Sequence, residues 1–234
     1  MSAVFCPMIR AMKICRTIII ILVLAIAFGC AHKPEVRKPA QELFDEATLL
    51  ASKRKIEKAT EIFMEVRTYY PGHDLARKSL LATADLNFDE ELYETALESY
   101  KEYRLLYPTD LDASYSLYKI GMCYFKQMNS FDRDQEETVR AIKTFEEFID
   151  TYSESPYVSD AQTQLASARL TLAKHYIYIG KFYLKKKNKT AACKRFQEVK
   201  RQYPGIGLDE EIDKLITKSC ENTDELPEES DQSK

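Results

Sequence analysis

Four segments of this 234-residue chain repeat one pattern, and that repetition constrains the fold more than any other feature. The first is Ala59-x3-Phe63-x2-Val66-x3-Tyr70-Pro71, and the second is Ala96-x3-Tyr100-x2-Tyr103-x3-Tyr107-Pro108. The third is Ala141-x3-Phe145-x2-Phe148-x3-Tyr152, and the fourth is Ala192-x3-Phe196-x2-Val199-x3-Tyr203-Pro204. Steps of four, seven and eleven residues place all four positions on one face of an α-helix. The small Ala admits a neighbouring helix, the aromatic ring fills the gap between them, and the next apolar residue and the Tyr complete the stripe. A Pro directly afterwards pushes the residue before it out of helical geometry and ends the helix. In the third copy Ser153 takes the Pro position, which predicts a stop delayed to Ser155-Pro156.

A first helix is expected before each of these. In the fourth copy Tyr176, Ile179, Gly180 and Tyr183 stand at the spacing of the tetratricopeptide signature, with Gly180 letting the paired helices cross closely. Leu117, Ile120, Gly121 and Tyr124 do so in the third, while Leu80 and Ala84, then Leu43 and Ala47, serve the second and first. The expected fold is all-α: an α-solenoid of about four tetratricopeptide-type helix hairpins over residues 40–220, closed by a capping helix that carries Leu208, Ile212, Leu215 and Ile216. The Tyr positions lie 37, 45 and 51 residues apart. The second interval reflects an inserted loop at residues 127–137. The third reflects a helical stretch at residues 156–187 with no Pro after Pro156, which predicts a rod of roughly 45 Å and an elbow in the array.

The N-terminus reads differently. Arg10, Lys13 and Arg16 precede an unbroken apolar run at residues 18–28, and Gly29-Cys30 follow. A basic region, a short apolar region and a small residue before the cut predict a secretory signal peptide at residues 1–29. Ala27-Phe28-Gly29-Cys30 resembles the lipobox of bacterial lipoproteins. That likeness implies a diacylglycerol and an N-acyl chain on Cys30, with no other cofactor, and Ala31 in place of Asp implies the outer membrane. Residues 30–39 read as a tether and residues 221–234 as an acidic disordered tail. Without residues 1–29 the chain holds 31 basic and 37 acidic residues, net −6, which argues against nucleic acid as a partner.

Chemistry is sparse. Cys123, Cys193 and Cys220 remain after Cys30, with no CxxC spacing, so at most one disulfide can form and its partners are not readable; Cys123 and Cys193 read as small buried residues. His32, His73 and His175 have no ligand-spaced partners, so no metal site is expected. No phosphate loop, nucleophile elbow or zinc-protease motif is present, and the expectation is a binding protein with no catalytic residues.

Three further segments carry a resemblance. Asp132-Arg133-Asp134-Gln135 lies in the inserted loop; Leu172-Ala173-Lys174-His175 precedes Ile179-Gly180 and Phe182-Tyr183; and Ala191-Ala192-Cys193-Lys194-Arg195-Phe196 opens the fourth stripe. Together they resemble the BamD family, lipoprotein subunits of the outer-membrane β-barrel assembly machine, from Pro39 to about Ile216. The chain departs in having Tyr176 where the family usually has Glu, Lys194 where it often has Asn, and one C-terminal helix in place of a fifth repeat. The resemblance implies a periplasmic subunit that binds the POTRA region of the barrel protein BamA through its C-terminal half and has other lipoproteins of the machine as further partners. Arg195, Lys194 and Tyr176 are the residues it points to. Its N-terminal half would receive unfolded outer-membrane proteins, with Tyr69, Tyr70, Tyr100 and Tyr103 as candidate contacts. The rival is a lipid-anchored periplasmic scaffold of another envelope complex, which should lack the inserted loop motif and the Leu-Ala-Lys-His segment.

Overall fold

A computed structural model describes residues 37–220, so the expected signal peptide, Cys30 and the expected disordered tail lie outside the described residues. Nine helices stand among these residues and no strand. They are α1 (Ala40–Ser52), α2 (Ile56–Tyr69), α3 (Asp74–Asp89), α4 (Tyr93–Leu106), α5 (Ala113–Lys126), α6 (Glu136–Thr151), α7 (Val158–Lys185), α8 (Lys189–Gln202) and α9 (Asp209–Cys220). Each packs on the next in chain order, and α1 also meets α3 as α5 meets α7. This nearest-neighbour stacking makes an α-solenoid of four tetratricopeptide-type hairpins with α9 as its cap.

The repeated stripe is the reason the hairpins form. The Ala, aromatic and apolar positions of α2, α4, α6 and α8 are all buried, none above 2% exposed. Opposite the ring in the third and fourth hairpins stands a glycine. A Cβ on Gly121 would lie 2.6 Å from Phe145 Cε1, and one on Gly180 would lie 2.4 Å from Phe196 Cε1. The bare backbone is what lets the first helix lie against the ring of the second.

Three of the four hairpin turns share one construction. Arg54, Glu91 and Lys187 adopt left-handed backbone at φ 55°, 61° and 62°. The N–H that follows each donates five residues back, from Lys55 to Leu50, Leu92 to Asn87 and Asn188 to Tyr183. This is the Schellman arrangement, which satisfies carbonyls at the helix end. The turn between α5 and α6 lacks it because the inserted loop intervenes.

The tyrosine at the end of each stripe closes its helix in one way. Tyr70, Tyr107, Tyr152 and Tyr203 lie within φ −126° to −132° and ψ 50° to 57°. Tyr152 does so although Ser153 follows it. The expected delay of the third stop is therefore corrected: α6 ends at Thr151, like the others. The Tyr152 N–H donates to the Phe148 carbonyl, and the Ser155 N–H turns back onto the Tyr152 carbonyl, so the turn forms without a proline's constraint.

The 28 residues of α7 run unbroken, roughly 42 Å at 1.5 Å per residue. Ala161 and Leu165 near its start join a core with Tyr100, Leu117, Phe145 and Phe148. Ala173 and Ile177 further along join a second core with Phe196, Val199 and Ile212. Cys193 and Cys220 form a disulfide that ties the end of α9 to α8. Cys193 is thus buried as expected but bonded, not a plain buried thiol. Cys123 is a free buried thiol, and burial pushes its pKa up to about 12.

Candidate partner-binding surface

The fourth hairpin brings three expected residues together. Tyr176 projects from α7, and Lys194 and Arg195 from α8, into one groove of about 430 Å3. Tyr183, Glu198 and Gln202 complete its walls. The half-buried Tyr176 ring is stacked near Tyr203, with centroids 6.4 Å apart. Glu198 is engaged by Arg201 at 2.6 Å and by the Gln202 amide, both on its own helix. Lys194 and Arg195 are exposed, and neither makes an ion pair among the described residues. The groove therefore presents two uncommitted cations beside a phenol and an aromatic wall, suited to a carboxylate on a protein partner.

The candidate contacts in the N-terminal half divide. Tyr69 is 43% exposed at the end of α2, and Tyr70 is half-buried against Val66 and Leu75. Tyr100 and Tyr103 are fully buried, and for these two the expected contact with a client is withdrawn. Their hydroxyls are spent inside the protein. Tyr100 donates to Asp85 at 2.5 Å, a carboxylate that also accepts from Tyr115 at 2.7 Å. Burial raises the Asp85 pKa against the pull of those donors and of the Lys119 ammonium, whose own pKa burial lowers.

Tyr103 donates to Asp110 at 2.6 Å and accepts from Arg77 at 2.7 Å. Arg77 also donates to Asp110 at 2.8 Å, to Asp112 at 3.1 Å and to Asp74 at 2.8 Å, joining α3, α4 and the start of α5. Burial pushes the Asp110 carboxyl up, but the Tyr103 hydroxyl, the Asp112 N–H and the Arg77 charge together hold it below its usual value. Hydrogen bonds from Lys78 and Arg77 hold Asp74 at about 2. Arg77→Met should cost about 2 kcal/mol at neutral pH, because it leaves a half-buried carboxylate and a buried phenol short of a donor. Carboxyls whose folded pKa is depressed stabilise above the unfolded value near 4, and that contribution fades as pH falls toward 2. The gap in urea midpoint between wild type and Arg77→Met should accordingly narrow over that interval. An equal gap at pH 7 and pH 2.5 would remove the network's role.

A surface that the stripe did not reveal lies between the second and fourth hairpins. Leu81, Leu111, Tyr115 and Tyr157 line a groove of about 420 Å3, and Leu111 is 96% exposed.

The inserted loop, beside its Asp132–Gln135 segment, touches the helix that carries Leu172–His175. The His175 Nδ1 lies 2.6 Å from the Phe131 carbonyl oxygen, which can only accept, so Nδ1 carries the proton. The Phe131 ring meets Tyr178 edge-on at 5.9 Å. The inserted loop is thus fastened to the long helix α7. Among the described residues no group of His, Cys, Asp or Glu is placed to hold a metal ion, and no helix is long and apolar enough to cross a membrane.

The family described as YfiO, outer membrane lipoprotein, matches residues 36–223. An outer membrane protein assembly factor BamD from Rickettsia prowazekii is 29% identical, over 82% of this chain and 78% of its own. One from Caulobacter vibrioides is 28% identical over 78% of this chain and 62% of its own length. One from Pasteurella multocida is 26% identical over 80% and 76%. A tetratricopeptide repeat protein from Parabacteroides merdae superposes loosely, with a TM-score of 0.44 and 13% identity over 80% of this chain and 87% of that one.

Proposed function

Because the chain belongs to the YfiO outer membrane lipoprotein family, we propose that it is a non-catalytic subunit of outer-membrane protein assembly, held on the periplasmic face by lipid on Cys30. Its C-terminal half docks the POTRA region of the barrel protein BamA, and its N-terminal half presents unfolded outer-membrane proteins to it. The observation that carries the docking role is the convergence of Tyr176, Lys194 and Arg195 on one groove whose two cations make no ion pair among the described residues. Clients would reach the apolar groove of Leu81, Leu111, Tyr115 and Tyr157 rather than the buried tyrosines. Presentation of this kind needs exposed apolar surface for an extended segment, and no bond chemistry.

A tagged copy purified from detergent-solubilised outer membranes should bring BamA with it in near-equal amount. Arg195→Glu should reduce that recovery at least tenfold, since reversing an interfacial charge costs about 2–5 kcal/mol. Undiminished recovery would remove Arg195 from the interface. Absence of BamA from the wild-type preparation, with another envelope complex in its place, would replace the whole reading.

A further inference from the structure

A second groove, sharing no residue with the Arg195 groove, lies where the end of α7 meets α9. Its volume is about 720 Å3. Lys181, Lys185, Lys187, Lys189 and Lys218 surround it. Leu184 and Leu215, both half-buried, form an apolar floor. Lys181 is paired with Glu211 at 2.7 Å. The other four lysines make no ion pair among the described residues. Four uncompensated ammonium groups around one groove repel each other and make a site of positive potential for an anionic chain.

The chain carries a segment of matching chemistry next to it. Residues 221–234 hold Glu221, Asp224, Glu225, Glu228, Glu229 and Asp231, with Leu226 among them and a single basic residue, Lys234. This segment starts three residues after Lys218, itself part of the groove wall. The Cys193–Cys220 disulfide fixes the residue that directly precedes it. A segment tethered at the mouth of its own site acts at an effective concentration of about a millimolar or more, so modest contacts suffice.

We propose that the acidic segment 221–234 docks in the lysine groove of its own chain, its carboxylates on Lys185, Lys187, Lys189 and Lys218 and Leu226 over Leu184 and Leu215. Any other anionic ligand must then compete with it. This inference does not depend on the proposed role in assembly.

The test is zero-length carbodiimide coupling of the full lipidated protein in detergent micelles, with mass spectrometry of the linked peptides. Links from Lys185, Lys187, Lys189 or Lys218 to the segment's carboxylates are expected within one chain at low salt, reduced at least tenfold at 1 M salt, where charges are screened beyond about 3 Å. A variant with Asp224, Glu225, Glu228, Glu229 and Asp231 replaced by Asn or Gln should exchange the amide hydrogens of residues 184–189 at least threefold faster than wild type. Absence of such links, or unchanged exchange, overturns the proposal. Links found only between differently isotope-labelled chains would assign the groove to a second copy. Flotation with anionic vesicles that is indifferent to the segment's charges, with no links to it, would assign the groove to a lipid surface. Either result also overturns docking in the same chain.

Discussion

Gly180→Leu should destabilise the protein by about 3 kcal/mol, the upper part of the range for overpacked cores. A side chain there must begin with a Cβ 2.4 Å from Phe196 Cε1, and the ring is fully buried, so it has nowhere to withdraw. The better helix propensity of Leu returns less than about 1 kcal/mol. Phe196→Ala alone should cost about 3–5 kcal/mol through the cavity it leaves. The decisive result is the pair. With the ring removed, the new Leu fills part of its space, so the double variant should be at least about 1 kcal/mol more stable than the sum of the singles predicts. Denaturant midpoints of the four proteins measure this. Strict additivity would mean that the glycine is not there for the ring. Gly121 and Phe145 repeat the geometry in the third hairpin, with a closest approach of 2.6 Å.

Removal of the disulfide should have a comparable effect, confined to one end. Cys193 and Cys220 are 27 residues apart, and closing a loop of that length restricts the unfolded chain by about 3–4 kcal/mol in the chain-entropy picture. The helix it holds, α9, packs mainly on α8, with Ile212 fully buried in the core that it shares with α8 and α7. Cys220→Ser should therefore lower the melting temperature and let the amides of residues 209–220 exchange much faster, while those of α1 to α4 keep their protection. Equal exchange in both proteins would show that packing alone secures the cap. An exported chain meets the oxidising conditions in which such a bond persists.

The helices were legible because one face of each carries a fixed pattern, and all twelve Ala, aromatic and apolar positions of the stripe are buried. The hairpin turns were not, because their left-handed residues are Arg54, Glu91 and Lys187, where sequence reading looks for glycine. In the second copy the stripe placed Tyr100 and Tyr103 inside, and the family likeness offered them as contacts; what no local pattern showed is that Asp85, Asp110 and Arg77 satisfy their hydroxyls. The Cys193–Cys220 pairing depends on how α9 folds back on α8, which no spacing rule encodes. The groove of Tyr176, Lys194 and Arg195 was half legible. Tyr176, Lys194 and Arg195 were each named through a family likeness, and their convergence follows from sitting on opposite arms of one hairpin.

In a stacked-hairpin protein each unit ordinarily answers only to its neighbours, and local melting can stop at any turn. The helix α7 removes one such stopping point. It supplies Ala161 and Leu165 to one core and Ala173 and Ile177 to the next without an intervening turn. To fray one core it must lose hydrogen bonds that the other relies on. The half that would receive clients and the half that would hold the barrel partner therefore share a single spine, and a strain applied to one is felt by the other as a change in its own stability.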